Sequence, residues 1–399
     1  MQRFDIAIVG GGIVGLAAAI AITSKTKLKV AVIEPQPLAE LTEQPKLRVS
    51  AINAASKALF ENLGVWDAMQ EQRLQAYQQM HVWDKDGPGL LTFAEPGNTQ
   101  NLGWIIENDV IRQALYRQAD AHPQIEMIQQ PLSSIAVGES EVFLSFATQT
   151  PVLARLVVAA DGGNSWVRRQ LALPMTFRDY DHHALVATVK VERDHENTAW
   201  QVFLDSGPLA LLPLYDSSLC SIVWSAPPDK VAELKTLSEA QFSQLITSAT
   251  DGKLGTISLV SERLSFPLKM QLVDNFVQQK VVLIGDAAHT IHPLAGQGVN
   301  LGLQDVNALA ETLTAIFAEA DGERVFAQAD KVSQLNKKLG EFSRYRKAQA
   351  TQMVVAMEAI KQGFALQQKL PKLLRGIGMR TLNNLPLLKQ QLVKKAMGK

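Results

Sequence analysis

Residues 4–34 read FDIAIVGGGIVGLAAAIAITSKTKLKVAVIE. Phe4 to Val9 is a short apolar run of β type. Gly10, Gly12 and Gly15 follow at G-x-G-x-x-G spacing. Leu16 to Thr23 then reads as an alanine-rich helix, and Lys29 to Ile33 as a second strand ending at Glu34. Each position has a mechanical reason. Gly10 permits a tight turn, Gly12 lets the backbone approach a pyrophosphate, and Gly15 lets the helix pack on the strand. Glu34 stands at the right distance to accept hydrogen bonds from an adenosine ribose, and its charge would repel a 2′-phosphate. A bare glycine triplet is weak evidence, but strand, helix, second strand and acid together predict a Rossmann-like α/β unit that binds a dinucleotide. NAD and FAD share this fingerprint, so the choice between them stays open here.

A second stretch, Val281 to Asp305, reads VVLIGDAAHTIHPLAGQGVNLGLQD. Val281 to Ile284 is a short buried strand, and Gly285-Asp286 places a carboxylate at its carboxyl end, where open α/β sheets bind ligands. His292 to Gly298 is a rigid, glycine-studded turn. Beyond Gln297 the apolar residues Val299, Leu301, Leu303, Val306, Leu309, Ala310 and Leu313 follow helical spacing. Free N–H groups and the positive end of the helix dipole would face whatever anion develops at that turn. Taken alone, the stretch reads equally well as an ordinary strand, turn and helix punctuated by Pro and Gly. With the first stretch it implies a long cofactor docked at both ends. FAD fits: Asp286 would take a ribityl hydroxyl, and the Gly296–Asn300 turn would face the N1–C2=O edge of the ring, which becomes anionic on reduction.

Composition narrows the classes. The chain has 399 residues, 47% hydrophobic and 20% charged, enough for roughly two to three domains with real cores. Its 39 basic and 39 acidic residues give no pull toward nucleic acid. The single cysteine, Cys220, lies in an apolar run and reads as a buried structural thiol in a reducing compartment. The longest apolar run, Ile13 to Ile22, falls short of the roughly 20 residues needed to cross a bilayer, so a cytoplasmic protein is expected. The pairs His182-His183 and His289/His292 lack further ligands, so no metal site is expected.

Other segments fill in the plan. Arg48 lies in a polar loop before a helical Ala51 to Leu63 and, on its own, reads as a solvated surface residue. Val110 to Ala121 is a helix with Asn108 or Asp109 as N-cap. The strand Leu156 to Ala160 ends at the Asp161-Gly162 turn, and Ser165 is placed to cap a helix carrying Arg168 and Arg169. From Thr176 to Pro267 the runs are short and β-rich, with one helical insert at about 238–248, and Met80 to Asp84 and Leu90 to Phe93 are expected to join that sheet. The cofactor-binding domain is therefore discontinuous (1–75, 101–175 and 268–330). A mixed β-sheet substrate domain spans 176–267 with an insertion at 76–100, and a helical region covers 331–399. Residues 359–399 carry nine basic side chains and no acidic one, interleaved with leucines and methionines. Such an amphipathic tail suits an anionic membrane surface or a partner; it equally suits a capping helix whose basic side is simply solvated.

The pattern resembles the single-component FAD-dependent aromatic hydroxylases. The run His292-Pro-Leu-Ala-Gly-Gln-Gly-x-Asn300-x-Gly302-x-x-Asp305 matches the signature of the ubiquinone-biosynthesis hydroxylases (the UbiH, UbiF and UbiI type). LRVSAINAAS at Arg48 and LGVWDAM after Leu63 are also similar to that group, and the resemblance covers essentially the whole chain. It implies that Gly10, Gly12, Gly15 and Glu34 hold the ADP half of FAD, that Arg48 approaches the FAD, and that Asn108 reaches its middle, on a looser match. It further implies that Asp161 belongs to a turn shared with the incoming nicotinamide and that Asp286 binds the ribityl chain. Gly298, Val299 and Asn300 would meet the flavin edge, while Pro293, Gly296 and Gly298 would line the substrate ring without any acid–base residue. The implied activity is hydroxylation of a prenylated phenol or benzoquinol through a flavin C4a-hydroperoxide, with O2 as co-substrate and NAD(P)H or a redox partner as electron donor. A membrane or multi-enzyme-complex contact through the basic tail would give a peripheral location on the inner membrane. Two other readings fit the same residues: a flavin-dependent reductase or dehydrogenase of a prenyl or quinone substrate, and a non-catalytic flavin-bearing subunit of a ubiquinone-synthesis complex. A halogenase is set aside because Trp224 stands without a W-x-W motif.

Overall fold

A computed structural model of the chain describes residues 1–85, 87–94, 101–291, 298–317, 326–365 and 385. Five strands run parallel in the order Val281–Leu283, Val152–Ala159, Gln2–Val9, Val30–Ile33 and Ile125–Ile128. Their short Val/Ile/Ala runs are buried almost throughout, as parallel strands covered on both faces must be. A hairpin of Leu132–Val137 and Val142–Phe146 pairs antiparallel with the first residues of Val152–Ala159. The helix Ile13–Thr23 lies between this sheet and the helices Asn108–Asp120 and Gly298–Phe317. From Gly15 to Thr23 every one of its residues is buried, and its alanines let helix and sheet approach closely on all sides. This is the Rossmann-like unit expected from residues 4–34.

Among the described residues the second sheet has nine strands. The long strand Met175–Val191 pairs with both Leu219–Ala226 and Leu264–Val273, and Gly207–Pro213 and Thr198–Leu204 continue the sheet. Gln79–Asp84 enters parallel to Thr198–Leu204, and Leu90–Ala94 pairs with it antiparallel, so both early segments do join this sheet. The expected single helical insert is two helices, Pro228–Thr236 and Glu239–Ala249. The second is started by a capping box in which Ser238 and Gln241 satisfy each other's backbone N–H. These helices cover one face of the sheet, with Cys220 in the core between them; burial pushes its thiol up to about 12, which makes it inert as a nucleophile.

Two local expectations need correction. Ala51 to Leu63 is not helical throughout: Val49–Ile52 is a strand in a small antiparallel sheet with Gly103–Glu107 and Leu74–Tyr77. The helix starts at Ala54, where the Asn53 carboxamide oxygen accepts the Ser56 N–H. Likewise neither Asn108 nor Asp109 caps the next helix. Asn108 is its first residue and Glu107 takes the N-cap position without a side-chain cap bond. The Glu107 carboxylate is engaged elsewhere, by the Arg73 guanidinium at 3.0 Å and the Lys46 N–H at 2.7 Å. Asn108 Oδ1 instead accepts from Ser50 Oγ at 2.7 Å. Ser165 does cap the helix Trp166–Gln170 through the Arg168 N–H.

Candidate active site

The chain leaves the strand Gln2–Val9 at Gly10 with φ +109°, and a Cβ there would lie 2.5 Å from the Ala160 carbonyl oxygen. At Gly15 a Cβ would come within 1.9 Å of the Gly10 carbonyl oxygen. These two glycines seat the helix Ile13–Thr23 against the turn. Gly12 differs. It is the N-cap, no side chain caps the helix there, and nothing lies within 4 Å of its missing Cβ. Backbone N–H groups at a helix start facing open space form an anion site.

Glu34 is held at the rim of that space. Its Oε2 accepts the Gly11 N–H at 2.8 Å and its Oε1 the Gln36 N–H at 2.9 Å. Arg112, which no motif picks out, ties the same turns together: its Nε donates to the Gly11 carbonyl at 2.9 Å, and the guanidinium also reaches the carbonyls of Gln36 and Pro37. Only three-dimensional proximity reveals it, because it is one of two arginines on its helix.

A cavity of about 1000 Å³ begins at Gly10, Gly12, Glu34 and Arg112. It runs past Arg48, Asn108, Asp161 and Asp286 to Gly298 and Val299, and is floored by side chains of the second sheet. Gly10 and Gly12 thus face the same space as Asp286 and Gly298. Asp161 Oδ2 accepts the Val167 N–H at 3.1 Å, while its Oδ1 is buried with no partner among the described residues. Arg48 reaches over the Phe266 ring at 5.8 Å. Asp286 opens into the cavity, and its side chain is exposed to that space. Burial pushes its carboxyl above the usual range, His289 and Arg48 pull it back, and Asp305 pushes it up again. An acid raised in the fold adds stability that is full at low pH and lost as pH rises through its folded value. Asp286→Asn should therefore raise the melting temperature of the FAD-free protein at pH 7 while weakening FAD binding about tenfold or more; differential scanning fluorimetry with and without FAD measures both.

Gly15 has the packing role expected of it, and the Asn300 side chain is bonded within the protein. Gly15 does not line the cavity. Asn300 is 3% exposed, and its side chain stitches the helix start to the small sheet: Nδ2 donates to the Ala51 carbonyl at 2.7 Å and Oδ1 accepts the Asn53 N–H at 3.1 Å. Both polar ends of the side chain thus bond within the protein. Asn300→Ala strands two buried backbone groups and should cost about 1–3 kcal/mol in denaturant unfolding. Pro293 and Gly296 lie outside the described residues.

An uncapped helix start at Gly12, an acid at the ribose position and the unpartnered Asp161 oxygen suit FAD, and the cavity has room for it. The family described as FAD binding domain matches residues 3–342. The 3-demethoxyubiquinol 3-hydroxylase of Escherichia coli (strain K12) is 34% identical over 402 residues, covering 100% of this chain and 99% of that protein. The chain belongs to the FAD-dependent ubiquinone-biosynthesis hydroxylases. The human mitochondrial ubiquinone biosynthesis monooxygenase COQ6 is 32% identical over 441 residues, covering 98% of this chain and 92% of the relative. The p-nitrophenol 4-monooxygenase PnpA from Pseudomonas putida DLL-E4 shares the fold at a TM-score of 0.77 with 18% identity, over 100% of this chain and 99% of that one.

In this hydroxylase Asp305 closes the site from behind. Its Oδ2 accepts the Gly285 N–H at 2.8 Å and lies 2.6 Å from His289 Nε2, and its Oδ1 accepts from Arg346 Nε at 2.6 Å. Arg346 also donates to the Leu301 carbonyl. One buried carboxylate thus joins the Gly285–Asp286 turn, the helix Gly298–Phe317 and the helix Ala329–Ala365. Among the described residues no three His, Cys, Asp or Glu side chains gather as a metal site, and no helix is long and apolar enough to cross a membrane. The basic residues beyond 365 lie outside the described residues.

Proposed function

We propose that this FAD-dependent monooxygenase hydroxylates the aromatic ring of a polyprenylated phenol or benzoquinol intermediate of ubiquinone synthesis, using O2 and electrons from NAD(P)H or a redox partner. One observation carries the reading: a single cavity joins a cofactor end built of glycine turns and acids to a floor that is mostly apolar. Bound FAD supplies the oxygen-activating redox chemistry; the chain's residues bind, orient and exclude water.

In this reading the helix start at Gly12 holds the pyrophosphate, with Gly10 and Gly15 shaping the turn and Glu34 holding the ribose. Asp161 Oδ1 and Asp286 accept hydroxyls from the cofactor's middle, with Arg48 and Asn108 beside them. Backbone N–H groups of Gly298, Val299 and Asn300 face the flavin edge, where a helix start favours developing negative charge. Pro293 and Gly296 are assigned to the substrate ring by the family resemblance alone. Val186, Val223, Phe266 and Leu268, which line the cavity, keep water away and suit a prenylated ring. The division of the chain at 76–100 and 176–267 into substrate segments, with the remainder up to 330 holding FAD, belongs to the same proposal. So does a peripheral inner-membrane contact through the basic residues of 359–399, attracted by anionic lipid.

The test is turnover of a prenylated phenol under 18O2 with NADPH. The proposal requires a product one labelled oxygen heavier. A product that has only lost hydrogen would mark a dehydrogenase, and FAD binding without turnover would mark a non-catalytic subunit; either result overturns it.

A further inference from the structure

The cavity floor contains one polar side chain that the protein leaves unsatisfied. On the second sheet Gln201 pairs with Ala210, Ala210 with Val223, and Val223 with Val186. All four line the cavity. Residues directly opposite one another across neighbouring strands project to the same face, so these side chains form one row across the floor. Three are apolar. The fourth, Gln201, is 7% exposed, and its carboxamide makes no hydrogen bond with any described residue.

A buried amide without partners destabilises the fold, and an apolar residue of the same length would sit more comfortably in this row. Its polar atoms are not sealed in protein: the fully enclosed, unbonded side-chain atoms belong to other residues, so the carboxamide opens into the cavity. The remaining polar groups of the cavity are committed. Ser225 Oγ lies 3.2 Å from His182 Nδ1, and Arg48, Asn108, Asp161 and Asp286 stand at the cofactor turns.

We infer that Gln201 is the specificity residue of the floor: its carboxamide holds the ring oxygen of the substrate, donating through Nε2 to a phenolic or phenolate oxygen or accepting a phenolic O–H at Oε1. The apolar row beside it takes the ring face and the start of the hydrocarbon tail. Gln201 lies two strand spacings from Val223, roughly 10 Å, a span that fits an aromatic ring followed by the first carbons of a prenyl chain. This inference rests on the proposed aromatic substrate and adds the group that fixes the ring in its plane.

The experiment uses the FAD-loaded full chain, a short-chain prenylated phenol, and the same compound lacking its ring hydroxyl. Binding is read from the perturbation of the flavin spectrum. The wild type should bind the phenol about tenfold or more tightly than the deoxy compound, because a site that hydrogen-bonds a hydroxyl rejects the analogue without it. Gln201→Met should bind both alike, retain FAD and lose no thermal stability, and in turnover should consume NADPH while forming less hydroxylated product. Gln201→Asn, with the amide one carbon shorter, should recover part of the preference. A Gln201→Met variant that keeps the full preference overturns the inference and leaves the proposed function standing. A wild type that binds neither compound removes the aromatic-substrate reading itself, and the inference with it.

Discussion

Gly15→Ala should purify colourless, with FAD affinity reduced at least about 100-fold, equivalent to about 2.7 kcal/mol. The reason is local. A Cβ at Gly15 would lie 1.9 Å from the carbonyl oxygen of Gly10 and 3.3 Å from the Ala160 Cβ. The first obstacle is backbone, so no rotamer change relieves it, and the helix Ile13–Thr23 must lift from the turn. That moves the N–H groups meant for the pyrophosphate, and Gly10 has little freedom because it abuts Ala160. The fold should survive, since overpacking typically costs about 1–3 kcal/mol. Fluorescence titration with FAD checks the affinity and circular dichroism the fold. By contrast Gly12→Ala meets nothing within 4 Å in the protein alone, so any loss of FAD there would report contact with the cofactor itself.

Arg346→Met should destabilise the protein by about 3–5 kcal/mol, the usual cost of removing one partner from a buried ion pair. Burial pushes the Asp305 carboxyl up, but His289 and Arg346 outweigh it and hold it below the usual carboxylate range. An acid lowered in this way contributes stability that is full above its unfolded pKa of about 3.9 and is lost as pH falls through its lower folded value. Taking Arg346 away removes part of that stabilisation, so the acid-unfolding midpoint should move to higher pH. Urea unfolding at pH 7 and an acid titration followed by tryptophan fluorescence measure the two effects. Flavin affinity should also fall, since Asp305 accepts the Gly285 N–H beside Asp286.

The Rossmann-like unit was legible in the sequence because its signals are local: glycines at fixed spacing, a helix too rich in alanine to face water, and an acid after the second strand. The stretch Val281 to Asp305 pointed to a cofactor only in combination with the first, since alone it describes an ordinary strand, turn and helix. What escaped the sequence is long-range. Arg112 works by reaching carbonyls 75 and 101 residues away, and Asn300 spends its side chain on Ala51, 249 residues away. Asp305 stood out as part of a motif, yet its partner Arg346 lies 41 residues on, in a helix that looks like plain amphipathic surface. Ala51 and Ile52, the end of the strand Val49–Ile52, read as the start of a helix because Ala51 and the alanines after it carry helical propensity, while the strand's pairing with Gly103–Glu107 is invisible locally. Gln201 reads in sequence as one polar residue of an alternating strand; only the cross-strand register shows it standing at the end of an apolar row.

The central claim is that two glycine turns, Gly10–Gly15 and the one ending at Gly298, hold opposite ends of one FAD. A crystal structure of the FAD-loaded protein tests it most directly. Electron density for a single FAD with its adenosine ribose at Glu34, its ribityl chain at Asp286 and its ring at Gly298 and Val299 is the expected result. Density that leaves either turn empty, or an FAD seated in another cavity, would contradict it.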